Sequence, residues 1–150
     1  MFRTPVRTAV RVAAAFAFLA AAAWATSTMK LLAAETPIPK DTLAIALPKL
    51  SYDTKAWHAR VESVRLKELP KEDAGKVTWI VRSSNSRGSR IRVDVDLFLL
   101  DAAGERVATG RKTMLLGAAS SGVEEAIDIQ LGPGIWTSAH SLRIEVRFKS

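Results

Sequence analysis

Residues 90–101 read Arg-Ile-Arg-Val-Asp-Val-Asp-Leu-Phe-Leu-Leu-Asp, so that Ile91, Val93, Val95, Leu97 and Leu99 alternate with Arg90, Arg92, Asp94 and Asp96. A period of two puts the aliphatic set on one face and the charged set on the other, which predicts a long, half-buried strand. Each of the five aliphatic side chains contributes about 1.5–3 kcal/mol when buried, enough to make this the strand against which others pack. The opposite register would place four charges inside and five aliphatics in water.

Weaker versions of the pattern recur on both sides. Leu43, Ile45 and Leu47 alternate with Ala44 and Ala46 before Pro48, predicting a short strand at a sheet edge. Trp57, Ala59 and Val61 share a face, after which Val64 and Leu66 continue in the other register, predicting a bulge near Ser63. Val77, Trp79 and Val81 form the next inward set, and residues 83–89, Ser-Ser-Asn-Ser-Arg-Gly-Ser, are expected to join it to the central strand as a wide hairpin. Asp101-Ala102-Ala103-Gly104 predicts a tight turn with positive φ at Gly104, followed by a strand over about 105–116. Val123, Ile127, Ile129 and Leu131 make a sixth inward set after the small-residue loop 117–122; Leu142, Ile144, Val146 and Phe148 make a seventh. Seven short alternating strands with no helical periodicity predict an all-β fold: an immunoglobulin-like antiparallel β-sandwich over residues 42–150.

The amino terminus follows a different pattern. Arg3, Arg7 and Arg11 precede an uninterrupted apolar run over residues 12–25, and Ala23-Trp24-Ala25 fits a small-residue cleavage site, with Leu32-Ala33-Ala34 as a second one. Residues 1–34 are therefore expected to be a hydrophobic export helix, either a cleaved signal peptide or an uncleaved membrane anchor, and residues 35–41, with Pro37 and Pro39, a linker. The domain is then periplasmic or secreted, or held at the inner membrane where the segment is retained. The membrane is touched only through that segment.

Charge and cysteine content narrow the function. Net charge is +7, but four of those charges belong to Arg3, Arg7, Arg11 and Lys30, and the remainder interleaves both signs without a basic stripe carrying aromatics, which argues against nucleic acid. With no cysteine, disulfides, thiol catalysis and thiolate metal sites are excluded.

Residues 76–131 resemble the FxLYD-type immunoglobulin-like domains of bacterial exported proteins, in which a strand ending Phe-x-Leu-Tyr-Asp leads into a glycine turn. The carriers are Leu97-Phe98-Leu99-Leu100-Asp101, Gly104 and Val107-Ala108-Thr109-Gly110, with Leu97 in place of Phe and Leu100 in place of Tyr. The resemblance implies a non-catalytic extracytoplasmic module and carries no functional residues over.

Candidate chemistry is sparse. Asp94 and Asp96, two residues apart on one strand face, have a spacing compatible with paired-carboxylate hydrolysis, but Arg90 and Arg92 beside them favour two ionised carboxylates over a general acid. His58 and His140 are isolated, so no metal site and no cofactor is expected. Residues 117–122 lack the nucleophile-elbow order, and Gly132-Pro133-Gly134 offers no phosphate cradle. Trp57 and Trp79 lie on inward registers; Trp136, in a Gly-Pro-Gly-Ile-Trp loop, is the tryptophan open to a ligand role. The expectation is an exported non-enzymatic module binding another envelope protein, with the edge around Ile45 as the contact and Trp136 as the second candidate. The alternative is a carbohydrate or anionic envelope-polymer binder using Trp136, Arg87, Arg111 and Lys112.

Overall fold

The computed structural model describes residues 28–149; the expected export segment up to residue 27 lies outside them. The fold is all-β, with eight strands in two four-stranded antiparallel sheets packed face to face. The first sheet has the order β1-β8-β5-β6, formed by β1 (Thr28–Pro37), β8 (Ser141–Lys149), β5 (Ile91–Leu100) and β6 (Arg106–Leu116). The second has the order β2-β3-β4-β7, formed by β2 (Leu50–Asp53), β3 (His58–Leu66), β4 (Lys76–Asn85) and β7 (Ser120–Gln130).

The central strand takes the register its alternation demands. Ile91, Val93, Val95, Leu97 and Leu99 are all buried between the sheets, meeting Leu142, Ile144, Val146 and Phe148 of β8 and Trp79, Ile127 and Ile129 from the second sheet. The pairing of β3 with β4 shifts between Val61 and Ser63, where the change of inward register requires an extra residue. Gly104 has φ +82°, and Asp101 closes its turn by accepting the N–H groups of Ala103 and Glu105.

Four expectations need correction. Thr28–Pro37, assigned to the leader and linker, forms strand β1, pairing with β8 as far as Pro37↔Ser141. Ala34, Thr36 and Ile38 are buried, and Pro37 is tolerated because β1 is an edge. Residues 43–47 form no strand: one bridge, Ala44↔Arg65, and the Leu66 N–H donating to the Leu43 carbonyl at 2.9 Å are their ladder contacts. After Pro48 interrupts this run, β2 takes over the edge. Residues 83–89 are not a hairpin, since β4 continues to Asn85 and the chain then crosses from the second sheet to the first. Asn85 anchors the crossing: its amide donates to the Ser89 and Gly117 carbonyls and accepts from the Arg87 N–H. Finally, Gly134, at φ +73°, starts a one-turn helix α1 (Ile135–Ser138).

Candidate functional site

The outward face of the first sheet is a checkerboard fixed by strand register. One cross-strand row reads Ala33, Glu145, Asp96, Arg111; the next reads Leu31, Arg147, Asp94, Thr113; beyond it come Lys149, Arg92 and Leu115. On the other side lie Glu35, Arg143, Phe98 and Thr109. Because β5 and β8 are the two inner strands, their outward carboxylates are covered by long side chains from both neighbours.

Asp96 shows the consequence most clearly. Its side chain is 2 % exposed, and its two oxygens accept from Arg111 Nε at 2.6 Å and Arg147 Nη1 at 2.9 Å. The Asp96 carboxylate in turn holds the Arg111 guanidinium even further above its ordinary range, by hydrogen bond and by charge. Asp94 accepts from Arg92 Nε at 3.0 Å and Thr113 Oγ1 at 2.8 Å, with Lys149 Nζ at 3.1 Å. Burial pushes the Asp94 carboxyl up, but the hydrogen bonds from Thr113, Arg92 and Lys149 outweigh it, and the net shift is downward. Glu145, directly opposite Asp96, is met by Arg143 at 3.2 Å, with Arg147 and Arg106 at its margin. Arg106 also lies over the buried Phe98 ring at 3.9 Å.

The expected Asp94–Asp96 pair is therefore a structural charge network. Both carboxylates are taken up by ion pairs, and the Asp94 pKa is lowered where a general acid needs it raised. Arg143, Glu145 and Arg147 share this face, whereas Glu124 and Asp128 belong to the second sheet, where they pair with Arg65, Arg82 and Lys76. What the face presents outward is guanidinium, with Arg111, Arg106 and Arg92 half or more exposed, and with Leu31 and Leu115 open to solvent at its two edges.

The other expected site residues fall elsewhere. Trp136 is 5 % exposed, since α1 turns its ring into the core 6.5 Å from Trp79. Lys40 covers what remains, lying 4.1 Å over the ring and donating to the Trp136 carbonyl, so this side chain offers no platform to a ligand. Partial burial lowers the Lys40 pKa. Ile45 is half-buried and packs on the core rather than on a free edge. Among the described residues, Trp57 is the tryptophan that keeps some solvent exposure, tilted against Tyr52 at 5.2 Å and capped by the Arg87 guanidinium at 5.1 Å. Its place at the strand start, where the sandwich opens, explains why an inward register did not bury it fully.

His58 lies beside Trp57 on the outward face of β3, with Nδ1 3.3 Å from Ser86 Oγ. That hydroxyl accepts from the His58 N–H, and Asp53, opposite His58 in register, accepts from Ser51 and faces Lys49 at 3.0 Å. Ser86 and His58 are thus within hydrogen-bond reach of each other, while Asp53 is held by Ser51 and Lys49, so the three do not form a relay. His140 is exposed, and among the described residues no cluster of metal-ligating side chains occurs.

No protein-family model matches this chain, and no curated protein matches it. Among solved structures it is similar to the major envelope protein VP24 of White Spot Syndrome Virus, at 12 % identity and a TM-score of 0.51 over 80 % of this chain and 89 % of that one. The similarity shows a shared all-β fold. The Avr2 effector of the fungal plant pathogen Fusarium oxysporum (9 % identity, TM-score 0.34, 80 % and 89 % covered) and a mutant carbohydrate binding module of family 29 (17 %, 0.19, 78 % and 92 %) are more distant.

Proposed function

We propose that this chain is an exported, non-catalytic β-sandwich module of immunoglobulin-like character that works by contact with another protein of the cell envelope. The observation that carries this reading is the outward face of the first sheet. Its carboxylates are tied down by guanidinium groups, which fixes those arginines in place before any partner arrives, and exposed Leu31 and Leu115 flank them. Arginine and aliphatic groups held rigid lose little conformational entropy on association, and arginine is enriched among residues that dominate interfaces. The test is chemical crosslinking of the full chain in intact envelopes. A defined crosslinked band should form in the wild type and be lost in Leu31→Asp combined with Arg106→Ser. An unchanged band in that variant would place the contact elsewhere.

A second reading, binding of carbohydrate or an anionic envelope polymer, is supported by the half-exposed Trp57 under Arg87. Salt-sensitive retention on such a polymer, abolished by Trp57→Ala and not by Leu31→Asp, would select it.

A further inference from the structure

The two ends of the sandwich differ in charge. At the end where β1 begins, β8 ends and β5 begins, the connecting loops 54–57, 86–90 and 117–119 contain no acidic residue and carry Lys55, Arg87 and Arg90. Lys30, Arg92 and Lys149 add strand-end cations there. Of these six, Arg92 and Lys149 share the carboxylate of Asp94, and the other four form no ion pair among the described residues; the strand-end acid Asp53 is taken up by Lys49. At the opposite end, loops 67–75 and 101–105 carry Glu68, Glu72, Asp73, Asp101 and Glu105 against Lys67 and Lys71, with Lys76 and Arg106 as strand-end cations and Lys40 over Trp136, so that the two signs nearly balance there. The molecule is thus polarised along its strand axis.

The basic end is also the end joined to the apolar run. Only Thr26 and Ser27 separate Ala25, the last residue of that run, from Thr28, the first residue of β1. Three residue steps reach at most about 10 Å, close to one Debye length at physiological salt. Trp57 and Tyr52, packed on each other at this end, are side chains suited to a headgroup layer.

We propose that this basic end is a docking face for an anionic phospholipid surface, against which the sandwich is seated by the apolar run preceding β1. Each cation at such a surface contributes roughly a fivefold factor to the docked population, and the nearly balanced far end offers no comparable attraction, so charge selects one orientation. The docking face shares Arg92 with one margin of the arginine face of the first sheet, and Arg111, Arg106 and Leu31 remain for a protein partner.

The experiment uses the full chain in vesicles, with single cysteines carrying a fluorophore, which the absence of native cysteine makes specific. Ala118→Cys reports the basic end and Ala102→Cys the opposite end. In vesicles of phosphatidylglycerol and phosphatidylcholine containing a nitroxide-labelled lipid, the label at 118 should be quenched and the label at 102 should not. Lys30→Ser, Lys55→Ser and Arg90→Ser together should lower the docked-to-undocked ratio about a hundredfold. Raising salt to about 0.5 M on the unsubstituted background should have the same direction of effect, which keeps the test valid if the triple variant unfolds. Equal quenching at both ends, quenching at neither, or the same quenching in phosphatidylcholine alone would overturn the proposal, the last by showing that the tether and not the charge holds the domain.

Discussion

Gly110 on β6 lies against Ile129 on β7: a Cβ at Gly110 would stand 2.6 Å from Ile129 Cγ1 and 3.1 Å from the Asp128 carbonyl oxygen. The two strands belong to different sheets, so this is where an edge of one sheet closes on an edge of the other. A glycine is needed because backbone, not a flexible side-chain tip, occupies part of the space.

Gly110→Ala should therefore destabilise the domain by about 1–3 kcal/mol through overpacking. Gly75→Ala, where a Cβ meets nothing within 4 Å, should change stability little. Urea unfolding of the two variants checks the contrast, and equal midpoints would show that the sheets can separate at this corner without cost.

The Asp96 carboxylate, buried beneath Arg111 and Arg147, is the second sensitive point. Asp96→Asn leaves two guanidinium groups packed on a neutral amide, one of which reaches solvent freely. The cost should be about 1–3 kcal/mol, below the 3–5 kcal/mol of a fully buried broken pair. A double-mutant cycle with Arg111→Ala should show coupling, and strict additivity would mean that the contact is electrostatically idle.

Asp94 gives the domain an acid-side pH dependence. Its folded pKa lies below its unfolded value, so its contribution is fully present above the unfolded pKa and is lost as pH falls through the folded one. Thermal unfolding midpoints should fall as pH drops below the ordinary carboxylate range, and Asp94→Asn should flatten that fall. An equally steep fall in the variant would assign the acid sensitivity to other carboxylates.

The central strand, the bulge near Ser63 and the Gly104 turn were legible because each follows from a local rule: strict alternation, a register switch, a glycine after an Asx turn. The outward environment of Asp94 and Asp96 was not, because the burial of a carboxylate under arginines depends on which strands flank β5. Alternation says that Asp96 faces away from the core; only the order β8-β5-β6 says that Arg147 and Arg111 will close over it. Trp136 failed for a related reason. Gly-Pro-Gly reads as an open loop, yet Gly134 at positive φ starts one helical turn, and that turn directs the indole into the space beside Trp79. Strand β1 was hidden by its position, since Leu31-Leu32-Ala33-Ala34, following an apolar run, satisfies the rules of a leader's cleavage region as well as those of an edge strand.

That ambiguity yields the last prediction, which takes up the proposed export for the case in which the leader is cleaved rather than kept as a tether. Cleavage after Ala34 would remove Thr28 to Ala34 and with them most of the pairing between β1 and β8, exposing the flank of Ile144 and Val146. Cleavage after Ala25 leaves the strand whole. A chain starting at Thr26 should therefore unfold cooperatively, whereas one starting at Glu35 should lose several kcal/mol of its stability, against a typical total of about 5–15 kcal/mol, and expose an unpaired β8 edge prone to aggregation. Amino-terminal sequencing of protein from the envelope, with thermal unfolding of the two truncations, checks both halves. A stable, monomeric chain beginning at Glu35 would show that β1 is dispensable to the sandwich.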